Sequence, residues 1–209
     1  MYKKESRKMF IISGLGQSKD DWNKFESIYK GDLLIPEFIS EKNVDIFPDL
    51  LSQAENFLLS QKEKVDLCGL SLGAIIAIKL AILHPNKINK LIIIAGQINP
   101  PKLLIDLQNL VFKIMPKTSF KKLPFTKTQI IQITSELKSL DMSNEIKRLS
   151  LPTLVVIGEK DRANKKAAQE IHKGITNSKF HTLKGGHELN KDCPVELSEL
   201  IESFVSNTY

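Results

Sequence analysis

The chain has only two cysteines in 209 residues, Cys68 and Cys193. That is too few for a disulfide framework, and no zinc-ligand spacing surrounds them. Long hydrophobic runs are also missing. The richest apolar segment, Ala74–Leu83, is interrupted by Lys79 and is too short to span a bilayer. The apolar run Met9–Ile12 is too short for a signal peptide, and the cations before it (Lys3, Lys4, Arg7, Lys8) read as a solvated leader into a first strand. A basic stripe with interleaved aromatics is absent. The formal charge of +6 comes mostly from lysines scattered among Glu and Asp, so nucleic acid is not an expected partner. No metal or nucleotide motif is present, and no cofactor is expected. What remains is a soluble, cytoplasmic chain with no membrane span. Its 42% hydrophobic and 26% charged composition is ordinary for a globular protein that buries one sizeable core.

Short runs rich in Ile, Val and Leu alternate with segments of helical spacing. Met9–Ile12, Leu33–Ile35, Val65–Cys68, Leu91–Ala95, Thr153–Ile157 and Lys179–Leu183 read as strands. Asp21–Tyr29, Asp49–Gln61, Ala74–Leu83, Asn164–Lys173 and Pro194–Val205 read as helices. His84-Pro85 stops the third of these. Nearly continuous apolar strands separated by helices predict a mostly parallel α/β sheet of about six strands, with helices on both faces. One stretch breaks the rhythm. Between Gln97 and Ser150 there is no convincing strand, but Lys102–Met115 and Lys127–Leu140 have helical spacing. The chain therefore divides into a core of residues 1–96 and 151–209, with residues 97–150 inserted as a short helical lid.

The chemistry centres on Gly69-Leu70-Ser71-Leu72-Gly73. A GxSxG pattern alone is unspecific. Here a strand runs straight into it and a helix straight out, which makes it a nucleophile elbow. Such a turn holds its serine in a strained conformation, and the flanking glycines let strand and helix approach without a Cβ clash. The backbone N–H of Leu72, opening the helix, can stabilise an oxyanion.

A serine hydroxyl needs a base. His84 sits at a helix end, His172 in a polar helix and His181 inside a strand. His187 lies in Lys184-Gly185-Gly186-His187-Glu188, a glycine-rich loop after the last strand, where it can reach the nucleophile. The base needs an orienting carboxylate. Asp161 follows the strand Thr153–Ile157 in Gly158-Glu159-Lys160-Asp161. Helix capping competes with that role, and Glu159 is the rival acid. A second oxyanion donor is expected from Ser13-Gly14-Leu15-Gly16-Gln17, after the first strand. The N–H of Leu15 is the first choice and that of Gly16 the second. The order Ser, Asp, His is that of α/β-hydrolases, not of the chymotrypsin or subtilisin types.

On these segments, together with Trp22, His84-Pro85 before Leu91–Ile94, and Pro152 through Gly158, the chain resembles the α/β-hydrolase superfamily along nearly its whole length. It looks most like compact bacterial esterases and thioesterases. The resemblance implies a nucleophile at Ser71, an acid at Asp161, a base at His187 and oxyanion amides at Leu15 and Leu72. There are departures. Where the family often carries His-Gly in the oxyanion loop, this chain has Ser13-Gly14. The usual first two strands are missing, and the short insertion implies a shallow or open acyl pocket.

The expected reaction is cleavage of a small or medium carboxylic ester or thioester through an acyl-enzyme. The partner is then a small-molecule acyl substrate; a carrier protein has no support in the sequence. Triad chemistry on other bonds, such as carbon–carbon hydrolysis or elimination, and a non-catalytic binding protein on the same fold remain alternatives. The insertion's Leu103, Leu104, Leu107, Leu110, Val111, Phe112, Ile114 and Met115 are expected mostly to pack it onto the core, with some lining an acyl site.

Overall fold

The apolar runs form one sheet in a computed structural model that describes residues 8–206; Lys3, Lys4 and Arg7 lie outside the described residues. The strands are β1 (Lys8–Ile12), β2 (Asp32–Leu34), β3 (Val65–Leu70), β4 (Ile88–Ile94), β5 (Thr153–Gly158) and β6 (Ser178–Leu183). Their order is β2-β1-β3-β4-β5-β6, and every neighbouring pair is parallel. Every residue of β3 and β5 is buried, so both faces of the sheet are covered there. The edge strand β6 alternates between half-buried and exposed positions over most of its length.

The helices are α1 (Asn23–Glu26), α2 (Ile46–Ser60), α3 (Leu72–Leu83), α4 (Lys102–Ile114), α5 (Lys127–Glu136), α6 (Arg162–Gly174), α7 (Leu189–Asp192) and α8 (Pro194–Ser206). α3 is apolar around most of its circumference and nine of its residues are buried, as expected of a helix enclosed by its neighbours. It packs on β1, β3 and β4 and against α2; α6 packs on β5 and β6, and α1 against α8. Buried Lys90 of β4 reaches the carbonyls of Phe204 (2.7 Å) and Val205 (3.1 Å). It thereby supplies donors to the last turn of α8. No helix among the described residues is long and apolar enough to cross a membrane.

Several details differ from the sequence-based expectation. The predicted helix Asp21–Tyr29 is instead a 3-10 turn, Lys19–Trp22, followed by the single turn α1. The chain starts to coil early because Ser18 N–H donates to the Asp21 carboxylate at 2.8 Å, and it stops when the Phe25 carbonyl accepts from both Ile28 and Tyr29. The predicted helix Lys127–Leu140 ends at Glu136 and tightens into a 3-10 turn. The Ser135 hydroxyl donates to the carbonyl of Ile131 at 2.7 Å just before that point, a bonding mode that perturbs helices.

A third difference concerns α4. Residues 97–150 carry α4, α5 and three short 3-10 turns, with no strand among them. Of the eight apolar residues expected to pack this segment onto the core, Phe112 and Met115 do so and the other six do not. Leu103, Leu104, Leu107, Leu110, Val111 and Ile114 are all exposed. The helix instead buries Ile105 and Asn109. Asn109 tolerates burial because its amide is paired with α5, accepting from Thr134 (2.6 Å) and donating to Ser135 (3.0 Å).

Candidate active site

At the C-terminal end of β3 the chain turns sharply into α3. Ser71 carries the turn at φ 55° and ψ −112°, a left-handed conformation that costs a non-glycine residue about 1–3 kcal/mol. The geometry is enforced from both sides. The Ser71 N–H donates to Ile94 on β4 at 2.9 Å, and the Ser71 carbonyl accepts from Ala74 and Ile75. A Cβ at Gly69 would lie 2.2 Å from the carbonyl oxygen of Gly73, and one at Gly73 would lie 2.0 Å from that of Ile12. Both glycines are therefore required for strand and helix to approach as they do. Leu72 is the first residue of α3, where a backbone N–H has no acceptor within the helix.

Asp161 caps α6, its carboxylate accepting from the Asn164 N–H at 3.3 Å. The same carboxylate meets His187 Nδ1 at 2.7 Å. Capping and orienting are thus compatible in one side chain. Burial would raise the Asp161 pKa, but hydrogen bonds from His187 and Asn164 outweigh it and hold the carboxyl below its ordinary value. Glu159, the rival acid, is exposed. His187 follows β6, and its Nδ1 donates to the Asp161 carboxylate, which leaves Nε2 for a hydroxyl. No hydrogen bond joins Ser71 to the ring among the described residues; such contacts are often loose without a substrate. The other histidines are engaged or remote. His84 pairs with Glu55 at 2.5 Å, half-buried His172 bonds the Ser178 hydroxyl at 2.8 Å, and His181 is exposed. Burial pushes the thiol pKa of Cys68 up and that of Cys193 up to about 11, so neither is an activated nucleophile.

Ser71, Asp161 and His187 line one cavity of about 410 Å³, together with Leu15, Leu72 and residues from the start of α4. That volume suits a small or medium ligand. Leu15 belongs to the loop after β1, where Gly16 takes φ 83°.

Three supporting residues escaped the sequence reading. Asn164 donates through Nδ2 to both Asp161 oxygens, at 2.8 and 3.0 Å. Gln97, just past β4, donates in turn to Asn164 Oδ1 at 2.5 Å. Gln17 is the third. Its Oε1 accepts from Gly14 N–H at 3.2 Å, and its Nε2 donates to Glu188 (2.8 Å) and Asn190 (3.2 Å). One buried amide thus closes the loop after β1 and ties it to the segment that follows His187, in a chain that lacks the family's His-Gly. The Asp-x-x-Asn spacing of a helix cap was the one local signal for Asn164. Gln97 and Gln17 carried none, because their partners are far away in sequence.

No family model matches the sequence, and no curated protein matches it significantly. Solved structures do. An α/β hydrolase enzyme, MGS-M2, from a Medee basin deep-sea metagenome library superposes with a TM-score of 0.85 at 18% identity, covering 100% of this chain and 92% of that one. MenH from S. aureus gives 0.81 at 15% identity, with coverages of 98% and 95%. A thermophilic esterase from Thermogutta terrifontis gives 0.79 at 15%, with 96% and 89%. The chain has the α/β-hydrolase fold.

Proposed function

We propose that this protein is a serine hydrolase that cleaves a small or medium carboxylic ester or thioester through an acyl-enzyme on Ser71. One observation carries the reading: a strained serine at a strand–helix elbow shares a cavity with a histidine whose Nδ1 is fixed 2.7 Å from a buried aspartate. In this mechanism Ser71 Oγ attacks the carbonyl carbon and its proton passes to His187 Nε2. Asp161 keeps the proton on Nδ1 and stabilises the imidazolium. The N–H groups of Leu15 and Leu72 donate to the oxyanion of the tetrahedral intermediate. His187 returns its proton to the departing alkoxide or thiolate. A water activated by the same ring then releases the acid and restores Ser71. Residues 97–150 act as the lid, since the start of α4 forms part of the cavity wall.

Fluorophosphonate labelling read by intact mass tests the proposal. Wild type should gain one adduct and Ser71→Ala none. A folded wild type that stays unlabelled would overturn the reading in favour of a binding protein on this fold. Labelling without hydrolysis of any ester or thioester would favour triad chemistry on another bond.

A further inference from the structure

The exposed face of α4 needs an explanation. Leu103, Leu107, Leu110 and Ile114 recur at spacings of four, three and four, and Leu104 and Val111 lie beside them, so all six share one side of a 13-residue helix. Their exposures run from 49% at Val111 to 84% at Leu103. A contiguous aliphatic stripe of this kind marks an interaction site in a folded protein. The stripe borders the candidate catalytic cavity, because Leu104 lines that cavity, as do Pro101, Ile105 and Gln108.

The charge beside the stripe is mainly positive. From Leu107 to Ser135 there are five lysines (Lys113, Lys117, Lys121, Lys122 and Lys127) and no acidic residue. The nearest acid on the helix, Asp106, is paired with Lys138. The segment bearing Lys117, Lys121 and Lys122 is held near the end of α4 by Phe112 and Phe120, whose rings meet edge to face at 5.9 Å. Lys113, Lys117, Lys121 and Lys122 are exposed, whereas half-buried Lys127 donates to the carbonyls of Lys113 and Met115 at the end of α4.

We propose that this face of α4 docks on an anionic lipid surface. An aliphatic helix flank with adjacent lysines is the pattern of a helix that lies in the plane of a membrane interface. The stripe is the convex flank of one helix, made of Leu, Ile and Val without an aromatic anchor, which suits a fluid apolar medium better than a protein interface. A second copy of this chain is disfavoured by charge, because a two-fold contact through α4 would bring two sets of lysines together. Resting on the hydrolase reading above, such docking would present acyl amphiphiles resident in the lipid to Ser71.

The test is cosedimentation of the full chain with vesicles of phosphatidylcholine, with and without phosphatidylglycerol. Wild type should bind the anionic vesicles, more weakly as salt rises, and bind neutral ones far less. The variant Leu103→Gln/Leu107→Gln/Leu110→Gln/Ile114→Gln keeps helix-forming residues and touches no cavity residue named above. It should bind at least about a hundredfold more weakly. Lys117→Gln/Lys121→Gln/Lys122→Gln should lose about a hundredfold. Fluorophosphonate labelling of the apolar variant should match wild type. Labelling without vesicle binding overturns this inference and leaves the hydrolase reading intact; vesicle binding without labelling does the reverse. Binding that survives the glutamine substitutions, or a dimer that they dissolve in the absence of any vesicle binding, also overturns it.

Discussion

Asn164→Ala isolates what the neighbours of Asp161 contribute. Asn164 donates its amide to both carboxylate oxygens while holding the Gln97 amide on its other side. Asp161 and Asn164 are both buried, so solvent replaces little of what the truncation removes. A hydrogen bond to a charged group contributes roughly 1.5–3 kcal/mol. We therefore expect Asn164→Ala to destabilise the fold by about 2 kcal/mol at neutral pH. The pH dependence identifies the cause. The folded pKa of Asp161 lies below its ordinary value, so its ionised-state bonds stabilise fully above the unfolded pKa of about 3.9. That contribution is lost as pH falls through the folded pKa. The difference between wild type and variant should then shrink towards about 1 kcal/mol, the worth of a neutral hydrogen bond. A looser carboxylate also orients His187 poorly, so fluorophosphonate inactivation should slow by about tenfold, equivalent to 1.4 kcal/mol. Urea denaturation at pH 7 and at about pH 3, beside the labelling rate, measures both effects. An equal stability loss at the two pH values with unchanged labelling would refute the role assigned to Asn164.

Ser71→Gly should be about 1 kcal/mol more stable than wild type in thermal or urea unfolding, because glycine relieves the positive φ; labelling should vanish in the same protein. Gly73→Ala places a methyl 2.0 Å from the Ile12 carbonyl. It should cost at least about 3 kcal/mol, seen as a large drop in Tm or loss of the folded protein. Gln17→Ala removes the tie between the loop after β1 and the segment after His187. It should lower kcat for a short ester while leaving Ser71 labelling detectable, and amide exchange at Gly14 should accelerate.

The parts legible in the sequence were those set by local pattern. The six apolar runs became the six strands, and the elbow was readable because its physics is contained in a few consecutive residues. Element ends were less legible where the decisive partner is remote. α2 begins at Ile46, before the expected Asp49, and the N–H groups of Ile46 and Phe47 donate to the carboxylate of Glu136, at 3.2 and 2.7 Å. That cap arrives from the end of α5, ninety residues away, and Pro48 fits in the same first turn because its missing N–H would have no helical acceptor. β4 likewise starts earlier than its apolar run, because Lys90 is buried by its bonds to α8. The exposure of α4 was misread for a different reason. Helical periodicity identifies an apolar face but not the neighbour it meets, and here the core contact went to the Asn109 side.

The sheet order explains why these particular loops converge. The chain moves outward from β1 to β2, then returns to place β3 on the other side of β1. Loops leaving β1 and β3 at their C-terminal ends therefore diverge and leave a crevice, the usual ligand position in an open parallel sheet. The loop after β1 carries Leu15 and the loop after β3 carries Ser71, so the proposed oxyanion donor and nucleophile flank one opening without any direct contact in sequence. β5 and β6 are adjacent and parallel, and their C-terminal ends deliver Asp161 and His187 side by side. The close approach of those two loops is enforced at Gly158, where a Cβ would fall 2.0 Å from the Gly186 carbonyl. Gln17 then joins the two halves, since it bonds the β1 loop at one end and the residues after His187 at the other. The site depends on topology for its location, on glycines for its close approaches, and on a few buried amides for its alignment.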